Sequence, residues 1–303
     1  MTTSASPAAG RDVDPVRERA HAKVNLRLEV LAREESGYHQ IETVFCALEL
    51  ADELQARRGP HGIELHLEGA DLGPVRDNLV YRAAEAFFRE AALAPDVDIR
   101  LRKRIPVAAG LGGGSSDAAA TLRALNRLHG EPLEPPSLLR LGAGLGADVC
   151  FFLCGSPLAL AWGRGERLLP LPPLPAAPVI LAVPRFRSDT AEAYRALDAA
   201  RGHRPATLPA ARVLHPREFA DWHAVAPLAH NDFEDVIFDR FPELRAIRDA
   251  LRESRPSLAL LAGSGSAVFA IYADAEQRAR AAGALRARFS QLALIETATA
   301  TGA

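Results

Sequence analysis

The chain has 303 residues, 48% of them apolar, with 36 Lys plus Arg set against 38 Asp plus Glu. That length fills one large or two ordinary domains, and a net charge of −2 offers no global field for a nucleic acid. Three cysteines without a CxxC pair argue against a disulfide framework or a zinc site and fit a reducing cytoplasm, and no apolar run approaches the ~20 residues a membrane helix needs.

Residues 1–19 are rich in Thr, Ser, Ala, Pro and charge, and read as a disordered lead-in. From Ala22 to Val30 the chain alternates strictly, with Ala22, Val24, Leu26, Leu28 and Val30 on one face and Lys23, Asn25, Arg27 and Glu29 on the other. This predicts a half-buried strand that presents Lys23 and Asn25 side by side to one ligand. Ser36-Gly37-Tyr38-His39 is a turn whose aromatic and imidazole groups can stack and hydrogen-bond, and an apolar-rich segment follows from Ile41 to Leu54. Alternation at Ile63, Leu65 and Leu67, and again at Val97, Ile99 and Leu101, predicts two more strands, with a helix from Asn78 to Ala92 between them.

Lys103 and Arg104 then lead into Pro106-Val107-Ala108-Ala109-Gly110-Leu111-Gly112-Gly113-Gly114-Ser115-Ser116-Asp117, followed at once by an Ala- and Leu-rich run. Four glycines in five positions admit positive φ and close backbone approach, and the run after them is strongly helix-forming. Ser115, Ser116 and Asp117 are residue types that cap a helix start. A glycine loop opening a helix points its unpaired N–H groups, with the helix dipole behind them, at an anion. The loop lacks the Gly-Lys-Ser/Thr end of a Walker A sequence and the Gly-x-Gly-x-x-Gly dinucleotide fingerprint, so it is of a third kind.

A short helix is predicted from Pro135 to about Gly142. Asp148, between glycines and an apolar run, is a lone carboxylate at the edge of a core and a general-base candidate; capping a turn is its alternative role. A strand and hairpin follow from Ala159 to Leu168, and the proline-rich stretch 169–178 divides the chain into domains at 20–170 and 171–303. The second half reads as a strand (Val179 to Val183), a helix with Tyr194, a polar loop (201–213), a helical segment from Asn231, then strand, Gly263-Ser264-Gly265-Ser266 turn and strand, a helix and a last strand. That order predicts an antiparallel sheet covered by helices.

Pro106 to Ala119 resembles the central phosphate-binding motif of the galactokinase, homoserine kinase, mevalonate kinase and phosphomevalonate kinase superfamily, with Ala22 to Leu28 similar to its first motif and Leu261 to Phe269 to its third. Gly37-Tyr38-His39, the triple glycine, Gly146-Ala147-Asp148-Val149, Gly163-Arg164-Gly165-Glu166 and Asn231-Asp232-Phe233-Glu234 resemble the branch of that superfamily whose acceptor is diphosphocytidyl-methylerythritol. Cys150 stands where that branch usually has proline.

The resemblance implies an α+β, two-domain small-molecule kinase fold, with an N-terminal mixed α/β domain and a C-terminal ferredoxin-like antiparallel sheet. It implies Asp148 as catalytic base, Lys23 as its cationic neighbour facing the transferred phosphoryl group, and Asn25 holding the acceptor. Pro106 to Ser116 would wrap the ATP phosphates, Asn78, Leu79 and Lys103 would lie at the nucleoside end, and Tyr38, His39 and Tyr194 would clamp a cytosine ring. Gly263, Ser264 and Gly265 would close against the glycine loop. ATP and Mg²⁺ are the expected cofactors, with the metal ligands left open. The expected partner is a small diphosphocytidyl substrate, with no nucleic acid or membrane, and the chain is a monomer or weak homodimer. A kinase of the same superfamily with another alcohol acceptor and a non-catalytic nucleotide sensor are the rival readings.

Overall fold

The computed structural model describes residues 14–59, 61–70, 72–186, 188–202 and 215–302. In chain order the first half comprises β1 (Val16–Arg33), β2 (His39–Arg58), β3 (Gly62–Glu68), α1 (Leu79–Glu90), β4 (Asp96–Arg102), α2 (Gly113–Leu128), α3 (Pro135–Leu145), α4 (Ala147–Leu153), β5 (Leu158–Gly163) and β6 (Arg167–Pro170). The second comprises β7 (Pro178–Val183), α5 (Thr190–Arg201), α6 (Trp222–Val225), β8 (His230–Asn231), α7 (Phe233–Arg240), α8 (Pro242–Glu253), β9 (Leu258–Leu261), β10 (Val268–Ile271), α9 (Ala275–Arg288) and β11 (Ala293–Ala298). Most of the polar loop expected at 201–213 lies outside the described residues.

β1 and β2 are long antiparallel partners at the centre of a seven-stranded sheet ordered β3-β4-β2-β1-β8, with β5 and β6 added along the first part of β2. β1 starts at Val16, so residues 16–19 belong to the strand and not to the lead-in expected there; Glu18 on this stretch pairs with Arg123 and Arg127 of α2. The Ala-rich face of α2 and Val80, Ala83, Ala84, Phe87 and Phe88 of α1 bury against this sheet. Fully burying side chains such as Phe87 contributes roughly 1.5–3 kcal/mol each.

The second sheet runs β11-β7-β10-β9, antiparallel throughout, as the order of its elements predicted. Its central strands are apolar on both faces for a physical reason: Ile180, Ala182, Val268 and Ala270 face α5, α7, α8 and α9, whereas Val179, Leu181, Phe269 and Ile271 pack against Val24, Leu26 and Val44 of the first sheet. β1 is therefore buried on both sides. Lys23, Asn25 and Arg27 are only 5%, 2% and 8% exposed, so the strand is not half-buried; its apolar side packs on the second sheet, and Lys23 and Asn25 on the other side line a cavity with Asp148, Gly263 and Ser264. β8 crosses the proline stretch in the other direction and pairs in parallel with β1, Arg27 opposite His230 and Leu28 opposite Asn231. The two halves thus share one core cluster and one sheet.

Candidate active site

The glycine loop lies where β1, α2 and the β9–β10 turn meet. The Lys23 amide donates to the Leu111 carbonyl at 2.9 Å, and the Ala267 amide to the Ala109 carbonyl at 3.1 Å, fixing the loop from both sides. Ala108, Gly110 and Gly112 take left-handed φ of 56°, 80° and 70°. At Gly110 glycine is required: a Cβ there would stand 2.0 Å from the Ala262 carbonyl oxygen.

α2 starts at Gly113 with Gly112 as its cap and no capping side chain. Ser115, Ser116 and Asp117 therefore sit inside the first turns and do not cap the helix, contrary to expectation. Their position leaves the first-turn N–H groups to face a cleft of about 350 Å³, an arrangement that suits an anion. Asn78, Leu79, Lys103 and Pro106 through Ser115 line this cleft, as does Asp117, while Ser116 is buried beneath it. Asn78 also caps α1, its Oδ1 accepting from the Val80 amide at 2.9 Å.

Lys103 lines the cleft with Asn78 and Leu79, and its ammonium has a further partner set. Its ammonium is buried between the carboxylates of Asp52 and Asp117, at 2.6 Å from Asp117 Oδ2. Asp52 also accepts from the amides of Arg104 and Ile105, so this triad ties β2, the end of β4 and α2 together under the loop. Two carboxylates share one cation there. Burial pushes the Asp117 carboxyl up to about 7, against the pull of Lys103 and with the charge of Asp52 adding to the rise. Sequence reasoning missed Asp52; with Glu49 and Glu53 beside it in the same strand, nothing local singles it out.

Next to the loop is a second cavity of about 260 Å³, lined by Lys23, Asn25, Asp148, Arg164, Thr190, Tyr194, Gly263 and Ser264 among others. Asp148 lies in the first turn of α4 without capping it, which excludes the turn-capping role. Lys23 Nζ is 3.3 Å from Asp148 Oδ2 and donates to Asn25 Oδ1 at 2.9 Å. Asn25 in turn donates to Thr43 Oγ1 at 2.7 Å, which orients its amide. These two acceptors take two of the three ammonium donors and leave the third for a ligand. Cys150, in the same helix, packs its Sγ 3.6 Å from the Leu139 carbonyl and fastens α4 to α3.

The turn Gly263 to Ser266 closes on the glycine loop, and Gly263 and Ser264 reach the cavity although Gly265 does not. Asn231 holds this turn: it donates to the Leu261 and Gly263 carbonyls at 2.9 and 2.8 Å. Glu234 accepts from the Leu261 amide at 2.8 Å. Among the aromatic groups, His39 and Tyr194 stack on each other with centroids 4.5 Å apart, and His39 Nε2 is 2.7 Å from Asp198 Oδ1. Tyr38 is 61% exposed, with the Arg164 guanidinium 4.1 Å from its ring centroid. The three rings therefore form no open slot: the space between His39 and Tyr194 is already closed. Burial, and then the charge of Asp148, pushes the Tyr194 hydroxyl up to about 12, so it stays neutral.

Glu64, His66 and Asp98 on β3 and β4 gather ligand atoms within 4.8 Å of one another, but none of them lines either cavity. Among the described residues no helix is long and apolar enough to cross a membrane.

The GHMP kinases N terminal domain matches residues 78–156 and the GHMP kinases C terminal domain residues 212–291. The 4-diphosphocytidyl-2-C-methyl-D-erythritol kinase of Pelotomaculum thermopropionicum is 42% identical over 279 residues, 92% of this chain and 96% of that one. The enzyme of the same name from Solidesulfovibrio magneticus is 44% identical over 259 residues, 82% of this chain and 86% of that one. A crystal structure of 4-(cytidine 5'-diphospho)-2C-methyl-D-erythritol kinase superposes with a TM-score of 0.77 at 38% identity, covering 94% of this chain and 99% of that one. Homoserine kinase from Cytophaga hutchinsonii, at 16% identity and a TM-score of 0.71 over 99% of this chain and 98% of that one, shares the fold. The chain belongs to the 4-diphosphocytidyl-2-C-methyl-D-erythritol kinase family of the GHMP kinases.

Proposed function

We propose that the protein transfers the γ-phosphoryl group of ATP to a hydroxyl of 4-diphosphocytidyl-2-C-methyl-D-erythritol, in the non-mevalonate route to isoprenoid precursors. The observation that carries the mechanism is the Lys23–Asp148 pair at the border between the anion-facing loop and the second cavity. Phosphoryl transfer asks of a protein mainly positioning and charge stabilisation. The amides of Pro106 to Ser116 and the first turn of α2 supply donors for the ATP phosphates, with Asn78 and Leu79 toward the nucleoside. Lys103 contributes there through the triad that shapes the cleft wall.

At the acceptor, Asn25 and Lys23 hold the reacting hydroxyl against Asp148. The hydroxyl oxygen forms its bond to the γ-phosphorus as the bond to the ADP oxygen breaks, and its proton passes to Asp148. Lys23 stands beside that carboxylate and offers its ammonium to the equatorial oxygens. Tyr38, with His39 and Tyr194, receives the cytosine on an outer ring face, and Gly263, Ser264 and Gly265 shut the site. Bound with ATP, Mg²⁺ would supply positive charge to its phosphates. Asp117 fits that ion: its Oδ1, buried beside the phosphate cleft, has no hydrogen-bond partner. The three free cysteines accord with a cytoplasmic location.

Purified protein with ATP, Mg²⁺ and the acceptor should yield ADP and a phosphomonoester in equal amounts by ³¹P NMR. Release of ADP without the ester would overturn the reading.

A further inference from the structure

Among the described residues, the second cavity has two cationic side chains on its wall, Lys23 and Arg164. Lys23 is held by Asp148 and Asn25 and faces the transferred phosphoryl group. Arg164, on the turn between β5 and β6, is held in a different way. Its Nη2 donates to Glu34 Oε2 at 2.5 Å and to Ser36 Oγ at 3.2 Å, and its Nε to Glu34 Oε2 at 3.2 Å. These partners all sit on the turn between β1 and β2, and the Arg164 side chain is 43% exposed. Its Nη1 makes no hydrogen bond to the described residues, and a guanidinium has donors enough to serve a second anion without giving up the first.

Position sharpens this. Arg164 touches the Tyr38 ring at one end and lines the cavity that contains Asp148 at the other. An acceptor with its base at Tyr38 and its reacting hydroxyl at Asp148 has its diphosphate in the stretch between. On the functional reading above, we infer that Arg164 is the diphosphate-binding and specificity-determining residue of the acceptor site, drawn from its parked position on Glu34 toward the phosphate oxygens. Bidentate pairing of a guanidinium with phosphate oxygens gives both charge and geometric selection, which a neutral residue at this turn would not.

The test is steady-state kinetics on the full chain, with cytidine diphosphate as competitive inhibitor. Arg164→Gln should raise the acceptor KM and the inhibition constant of cytidine diphosphate together by about tenfold, with kcat and the ATP KM within twofold. Arg164→Lys should recover part of the loss. Glu34→Gln, which releases the guanidinium, should not raise the acceptor KM. An unchanged acceptor KM in Arg164→Gln overturns the proposal. So does an equal rise in Arg164→Gln and Glu34→Gln, which would mean that the pair only braces the 34–38 turn. A wild-type protein that does not phosphorylate the diphosphocytidyl acceptor overturns the functional reading itself, and this proposal with it.

Discussion

Lys23 and Asp148 stand 3.3 Å apart, ammonium to carboxylate, with Lys23 buried and the Asp148 side chain 32% exposed. The cation is fixed in the sheet while the carboxylate meets the solvent side of the cavity, so a hydroxyl can reach the base without displacing its partner. Asp148→Asn should keep binding of ATP and acceptor by calorimetry and lower kcat by roughly 10²- to 10⁴-fold. An active variant would remove Asp148 from the mechanism. Lys23→Met should also lose kcat, by about 10²-fold or more, because it removes positive charge from the developing phosphoryl oxygens.

Loop geometry predicts a contrast between two glycines. Gly110→Ala forces a Cβ to within 2.0 Å of the Ala262 carbonyl at a φ of 80°, and should lower stability by about 1–3 kcal/mol while raising the ATP KM. Gly144, inside α3 with nothing near its missing Cβ, should accept alanine and gain about 0.5–1 kcal/mol. Thermal melts of both variants check the pair.

The Asp52–Lys103–Asp117 triad predicts a pH signature. The Asp117 carboxyl ionises near 3.8 when unfolded and at about 7 when folded, so between those values the folded protein holds the extra proton. Its contribution is therefore complete below pH ~4 and is lost as pH rises through about 7. Asp117→Asn keeps the shape without the charge. Its melting temperature relative to wild type should rise steadily from pH 5 to pH 8, and a difference that is flat or falls with pH would contradict this account.

Asn231 is 4% exposed and spends its amide on two carbonyls of the closing turn. Asn231→Asp would aim a carboxylate at those acceptors, which should destabilise the fold by about 3 kcal/mol and loosen the acceptor site. The readout is a lowered melting temperature together with a raised acceptor KM.

Much of this was legible in the chain because periodicity and glycine placement are local signals. The alternation from Ala22 to Val30 put Lys23 and Asn25 on one face, and the structure joins them by a hydrogen bond. The glycine run, the Gly263 turn and the antiparallel second sheet were readable for the same reason. What alternation could not show was that the polar face of β1 is itself buried, since this depends on the glycine loop, Asp148 and the Gly263–Ser264 turn, all distant in sequence, gathering over Lys23 and Asn25. Long-range ion pairing was equally hidden: Lys103 reads as a charge leading into the glycine loop, and only the fold reveals Asp52 and Asp117 on either side of it. His39 and Tyr194 were recognisable as ring partners, but not that they would stack on each other.

The central claim, a kinase whose acceptor is a diphosphocytidyl sugar alcohol, is tested most directly by offering the purified protein ATP with 4-diphosphocytidyl-2-C-methyl-D-erythritol, homoserine and mevalonate in parallel. The account predicts a kcat/KM for the diphosphocytidyl acceptor at least about 10³-fold above either of the others, since only that acceptor has a base for Tyr38 and His39 and a hydroxyl for Asp148 at once. Preference for homoserine or mevalonate, or no transfer to any of the three, would contradict it.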